Sequence, residues 1–358
     1  MKKWLLYMLS VVLCTGLFSC TAYEEMTDIP STGKGGEVKV SFVLNIPSSR
    51  GATDDSDLDD NYYWERYINE TDIRAFVFID DKYQEEVKRL LIEGDDGNQI
   101  RRITGMISNQ YEGRRVQLVV LTNMASRGVE TFTLTAGMSK DEVYEKLVYK
   151  YNEAWTFSDA ETESYIPMWG ISRGFEIDIL NDAGEIYMYR AIAKIDIKVN
   201  DGDGIDNFTI KKIELVNVPN KGYCASLNYG EVKMEAGEAF KNASVPATLA
   251  AITDTLPVFE GEEKCKIENR IYVPEMTKYK PYPYFKIRIH ATAGIYEGKR
   301  VYDLYMRGKQ TDPQTSFEIL RNHKYVINIK TITSTDEVKV GYHINAWGQG
   351  TTVDIPFN

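Results

Sequence analysis

Histidine and cysteine are scarce in this 358-residue sequence, which holds three of the first and four of the second. His290, His323 and His343 lie in separate strand-like runs. Neither they nor the cysteines have the spacing of a metal site, so no metal and no cofactor are expected. The sequence also lacks a Gly-x-Ser-x-Gly elbow, a His-Glu-x-x-His helix and a phosphate-binding glycine loop, and catalysis is not expected. Basic residues fall short of acidic ones, 42 against 53, with a net charge of −11. That balance, without a basic stripe, excludes nucleic acid as the expected partner. The acidic run Asp54–Asp60 has neither the central glycine nor the closing glutamate of a calcium loop, and reads as a solvated loop. Asp201-Gly202-Asp203-Gly204-Ile205-Asp206 carries an apolar residue at its fifth position and reads as a hairpin turn.

Long apolar runs are also missing, apart from one at the start. Lys2 and Lys3 precede a short apolar stretch from Trp4 to Phe18, closed by Ser19-Cys20. A basic start, an apolar run too short for a comfortable membrane span and a small residue before the cut describe a secretory signal. Leu17-Phe18-Ser19-Cys20 fits a lipobox, so residues 1–20 are expected to be a lipoprotein signal with Cys20 as the lipid-bearing residue. Loss of Lys2 and Lys3 with the signal takes the net charge to −13. Cys14 leaves with the same segment, which leaves Cys224 and Cys265 as a candidate disulfide, open between a bridge and two free thiols.

What is present is alternation. Val38, Val40, Phe42, Leu44 and Ile46 face one way, and Lys39, Ser41 and Asn45 the other, with Val43 the one apolar exception, until Pro47 stops the run. Period two over nine residues predicts a half-buried strand. Similar runs are Ile73–Ile79, Val116–Thr122, Ile186–Val199, Phe208–Val218, Phe285–Ala291, Val301–Met306, Lys324–Ile332, Val338–Trp347 and Thr351–Phe357. Gly, Asp and Asn punctuate the gaps, so the fold class expected is all-β with a minor helix, built as sandwiches. The helix is predicted from the capping box Ser139-Lys140-Asp141-Glu142, followed by Val143, Tyr144, Leu147, Val148 and Tyr151. Gln84–Leu91 is read as a second short helical stretch. Turn-rich Asn181-Asp182-Ala183-Gly184 marks a boundary between an N-terminal domain at 21–180 and a C-terminal domain at 181–358.

Four stretches in order resemble the fimbrillins, the type V pilus subunits of Bacteroidetes-type bacteria. They are the lipobox at Cys20, the strand ending in Ser48-Ser49-Arg50-Gly51-Ala52-Thr53, Arg190–Asp196, and Ile319–Ile329 followed by Ile344-Asn345-Ala346-Trp347. The resemblance implies two transthyretin-like β-sandwiches in tandem and export as an outer-membrane lipoprotein held by Cys20. It also implies scission by a trypsin-like protease, here at Arg50-Gly51, and polymerisation with other subunits into a surface fimbrium by strand exchange. Scission would make the Val38–Ile46 strand removable. Two C-terminal sets are candidate donors: Val338, Val340, Tyr342, Ile344 and Ala346, or Val353, Ile355 and Phe357. The same strands equally suit completion of their own sandwich, as in a tip subunit, and an uncleaved lipid would suit an anchor. A surface lipoprotein that captures host protein or glycan is the other expectation, through Tyr62, Tyr63 and Trp64 or the tyrosines of Tyr279–Tyr284.

Overall fold

The computed structural model describes residues 36–46, 65–93, 100–125, 128–129, 131–155, 165–178, 181–199, 208–227, 242–252, 254–277, 285–293, 296–305, 318–332, 338–346 and 353–355. The fold is all-β, with one short α-helix among the described residues, and forms two β-sandwiches in tandem. In the first, β1 (Glu37–Asn45), β4 (Lys88–Glu93), β5 (Ile100–Ser108) and β10 (Asp182–Tyr187) make a four-stranded sheet in the order β10-β1-β5-β4. The facing sheet holds β2 (Ile73–Ile79), β3 (Lys82–Glu86), β6 (Arg115–Thr122), β8 (Met168–Ile171) and β11 (Tyr189–Arg190), in the order β11-β8-β6-β2-β3, with β9 (Phe175–Glu176) beside β6. Between the sheets lies a core that includes Phe42, Leu44, Val77, Ile103, Leu118, Val120 and Ile186.

The second sandwich pairs two further sheets. One holds β16 (Lys266–Pro274), β12 (Ile192–Val199), β19 (His323–Ile332), β20 (Val338–Ala346) and β21 (Val353–Ile355) in that order. The other holds β15 (Leu256–Glu263), β13 (Thr209–Val216), β17 (Lys286–Ala293) and β18 (Tyr296–Tyr305). A two-stranded ribbon of β7 (Val148–Lys150) and β14 (Lys221–Tyr223) crosses from one sandwich to the other. β2 and β6 read as nearly continuous apolar runs because their sheet is covered twice. Val77 and Val120 face the first core, while Phe76, Phe78, Val119 and Leu121 join the cluster that continues into the second sandwich.

The capping box forms as expected at Ser139 and Glu142 and starts α1 (Lys140–Lys146). α1 buries Val143 and Tyr144, with the Tyr144 ring edge-on to Trp169 at 5.9 Å between centroids. It ends sooner than its apolar spacing suggested, since Val148–Lys150 leave to pair with β14. The expected helix at Gln84–Leu91 is corrected to strand. Asp80 and Asp81 both take positive φ, 51° and 59°, in the two-residue turn of a β2–β3 hairpin, and β4 follows directly. Two acidic residues that accept left-handed geometry fix a hairpin, and the hairpin overrides local helix preference. The run Ile186–Val199 is divided among β10, β11 and β12, with β10 and β11 in the two sheets of the first sandwich and β12 in the second.

Candidate functional site

β1 occupies a slot with walls on both sides. It pairs antiparallel with β5 over its whole length, from Glu37 opposite Ser108 to Asn45 opposite Ile100. On its other side it runs parallel to β10, with Ser41, Val43, Leu44 and Asn45 opposite Asp182, Glu185, Ile186 and Tyr187. Val40, Phe42, Leu44 and Ile46 point into the core with at most 1% exposure, and Val38 packs at its margin. At about 1.5–3 kcal/mol for each fully buried side chain, those four contribute roughly 6–12 kcal/mol to seating the strand.

Polar groups hold the two ends of the strand. Glu37 is ion-paired with Lys88, at 3.3 Å, and with Arg89, while the Asn45 amide donates to Glu185. The Ser41 N–H donates to Asn181 O at 3.0 Å, and the Met188 N–H donates to Asn45 O at 2.8 Å. β10 has no other strand partner among the described residues. It rests on Gly170, where a Cβ would lie 2.6 Å from Tyr187 O and 2.7 Å from the Met188 sulfur. A side chain at that position would lift β10 from the layer below.

The second feature is a set of buried ions at the domain junction. Glu65, the first described residue after Ile46 and ahead of β2, is 1% exposed. Its Oε1 accepts from Lys194 Nζ at 2.8 Å and from the Tyr272 hydroxyl at 2.6 Å, and its backbone oxygen accepts from Arg190 Nε at 2.6 Å. The chain entering β2 is thereby fastened to β12 and β16 of the second sandwich. Arg190 N–H also donates to Asn322 Oδ1 at 3.2 Å.

Lys194 and Lys324 stand opposite each other in the parallel β12–β19 pair, and each is matched by a carboxylate. Lys194 has Glu65, and Lys324 Nζ lies 3.1 Å from Asp196 Oδ2. A third pair closes the set. Arg321 Nη2 lies 2.6 Å from Glu275 Oε2, and the guanidinium donates to the carbonyls of Tyr223 and Cys224 at 3.0 Å. Charges this deep persist only when paired and hydrogen-bonded. The Arg190–Asp196 and Ile319–Ile329 blocks thus supply the junction. Sequence reasoning noted the blocks but missed their ion pairs, whose signal is charge inside an otherwise apolar strand.

The cysteines are not bridged. Cys224 is buried, and burial pushes its thiol up to about 12, while Cys265 is exposed between β15 and β16. His290 lies in β17, with its Nε2 2.8 Å from Glu214. His323 is buried and bonded through Nδ1 to Arg321 O at 2.7 Å. Among the described residues no His, Cys, Asp and Glu group is arranged to hold a metal, and no helix is long and apolar enough to cross a membrane. Of the candidate donors, Val338 to Ala346 form β20, paired with β19, and Val353 and Ile355 lie in β21, paired with β20. Cys20, Arg50, Gly51 and Phe357, together with the aromatic groups at Tyr62–Trp64 and Tyr279–Tyr284, lie outside the described residues.

No protein-family profile and no curated protein matches the sequence. Solved structures do. A proposed cell adhesion protein of Parabacteroides distasonis aligns with a TM-score of 0.53 at 16% identity, covering 89% of this chain and 99% of that one. A second proposed cell adhesion protein, from Bacteroides eggerthii, aligns at 0.46 with 12% identity over 91% and 100% of the two chains. The fimbrial anchor protein Mfa2 of Porphyromonas gingivalis aligns at 0.36 with 9% identity over 87% and 98%. The first likeness extends the tandem-sandwich fold over nearly the whole of both chains.

Proposed function

We propose that the chain is a structural and adhesive subunit of a cell-surface fimbrium of the fimbrillin type, and not an enzyme. It is exported as an outer-membrane lipoprotein through Cys20, and cut at Arg50-Gly51 by a trypsin-like protease. It then polymerises with other subunits by exchange of the first strand. The observation that carries this reading is the β1 slot. One strand near the start of the chain fills a gap between β5 and β10 and seats its apolar side chains in the core. Arg50 follows that strand by only a few residues, ahead of an acidic, polar stretch where a protease finds access. Removal of β1 bares the edges of both flanking strands and opens an apolar groove, which a strand from a neighbour satisfies. Repeated head to tail, that contact does not close and gives a filament. The adhesion and fimbrial-anchor descriptions of the structural neighbours agree with a role of this kind.

A second reading, the tip or anchor subunit, is favoured by one observation. β20 pairs with β19 along its length, so the C-terminal strands complete their own sheet. Limited trypsin digestion of the chain lacking its signal, followed by mass spectrometry and electron microscopy, separates the two readings. A stalk subunit gives one early cut after Arg50 and then denaturant-resistant ladders, both lost in Arg50→Ala. A cut chain that stays monomeric while retaining β1 would refute the stalk reading and leave the tip, the anchor or a free host-protein or glycan binder, which a glycan array tests.

A further inference from the structure

The outward face of the sheet that holds β1 differs in charge from the rest of the chain. Phe42, Leu44, Ile103 and Ile107 turn into the core, so the residues between them on β1 and β5 face out. Pairing then sets Lys39 level with Lys88 through Met106, and Arg102 level with Glu93. Among the described residues of β1, β5 and β4, the cations on this side or its β4 edge are Lys39, Lys88, Arg89 and Arg102, against the carboxylates of Glu37 and Glu93. The whole chain, by contrast, has a net charge of −11. The same face carries Leu91 and Ile100 at 58% and 59% exposure, opposite Thr104 and Asn45. One exposed apolar side chain is ordinary, but two on a face with an excess of cations suit a partner that is apolar beneath an anionic surface.

We infer that, ahead of the cut at Arg50, this face lies against the anionic bilayer that holds the lipid of Cys20, with Leu91 and Ile100 at headgroup level and the four cations beside the phosphates. This rests on the lipoprotein reading and adds a second, reversible hold to it. Binding of this kind combines apolar side chains that enter the headgroup layer with basic ones, each worth about fivefold in affinity near an anionic surface. Alone, so small a face binds weakly. On a tether it meets the surface at high effective concentration. Residues 21–36 link Cys20 to β1 and reach at most about 55 Å, so the strand nearest to the lipid in sequence belongs to the docking face itself.

The face also has a direction. β10 closes its other margin with Asp182 and Glu185, opposite Ser41 and Val43, so the β4 side leads onto the bilayer and the β10 side stands off. The side chains of Lys88 and Arg89 on that leading side are 57% and 69% exposed. Val301 and Tyr305, the other large apolar side chains left half exposed among the described residues, lie on β18 of the second sandwich, away from the strand that the lipid leads into. Scission and withdrawal of β1 take the tether and Lys39 together, so one event undoes both holds.

The test reconstitutes the lipidated, uncut chain in vesicles of phosphatidylcholine, with and without phosphatidylglycerol, that carry a nitroxide at the headgroup. A fluorophore is attached at Leu91→Cys, at Ile100→Cys or, as a control, at Val301→Cys, each combined with Cys265→Ser, while Cys224 is buried and stays unlabelled. Quenching is expected at the first two sites in the anionic vesicles, with the control left bright. High salt, which cuts the screening length to about 3 Å, should abolish it. Lys88→Gln with Arg102→Gln should lower the ratio of docked to free face roughly 25-fold, at about fivefold per cation. A lipidated chain that shows no quenching at either site overturns this proposal and leaves the lipoprotein reading standing. Equal quenching on neutral vesicles does the same, as does shielding that follows protein density in place of lipid charge, the mark of a second copy. An unmodified Cys20 peptide in mass spectrometry overturns the lipoprotein reading and this proposal with it.

Discussion

Replacing Lys194 by methionine tests how the two sandwiches are held together. Lys194 and Glu65 are each 1% exposed, with 2.8 Å between Nζ and Oε1. Methionine keeps most of the aliphatic stem but leaves the Glu65 carboxylate with the Tyr272 hydroxyl as its partner in an apolar setting. Loss of one member of a buried pair costs about 3–5 kcal/mol, mainly through the charge left behind. For a chain of this size that corresponds to a fall in Tm on the order of 10 °C. Urea denaturation followed by tryptophan fluorescence measures it, since Trp155 and Trp169 lie in the cluster that spans the junction. Lys194→Met combined with Glu65→Leu should recover stability to within about 1 kcal/mol of the parent, because neither charge of this pair is then left buried without the other. A loss below about 1 kcal/mol in the single variant would refute the reasoning, since it would mean that Glu65 reaches water at the junction.

Phe42→Ala should destabilise the uncut chain by about 3–5 kcal/mol, read from urea midpoints, because it empties the largest side chain of β1 from a fully buried position. Acid should weaken the fold in two stages. Burial holds the His323 imidazole below its ordinary 6.5, so the unfolded chain takes that proton first. Stability from this source is full above 6.5 and is lost as pH falls below it. The hydrogen bond from Lys212, followed by that of His290, holds Glu214 down at about 2, so its contribution is present above 4.5 and is lost as pH falls toward 2. Urea midpoints across the acid range should flatten in His323→Gln for the first stage and in Glu214→Gln for the second. A thiol reagent should label Cys265 at once and Cys224 only on unfolding, as peptide mapping would show, because one is exposed and the other buried with its thiol at about 12.

Alternation made the fold class legible, and β1 most of all, because a strand with one wet face writes its burial into every second residue. The same signal overran at Ile186–Val199. Apolar residues continue through Met188 and Ala191 while the chain passes from one sandwich to the other, and nothing local marks the change. β3 and β4 were hidden because their charged residues suit a helix as well as an exposed strand. The Asp80-Asp81 turn decides between them through a hairpin register that sequence periodicity does not contain. Of the site, the inward set Val40, Phe42, Leu44 and Ile46 could be read directly. The junction could not, since Glu65 meets Tyr272 across 207 residues of sequence. Lys194 and Asp196 are paired by Glu65 and Lys324, residues of other segments that the local pattern of the strand does not contain.

The double pairing of β1 also bears on force. A strand gripped by β5 on one side and β10 on the other, and pulled along its own axis, must break its bridges together. The same strand peeled from one end would release them one by one. Any segment seated in this position is therefore loaded in shear, the stronger geometry, when tension runs along the strand. The grip is also uneven. Among the described residues the β5 side runs the full length of β1, whereas the β10 side begins at Ser41, so there an end-on tug at Glu37 meets one wall and a tug at Asn45 meets two.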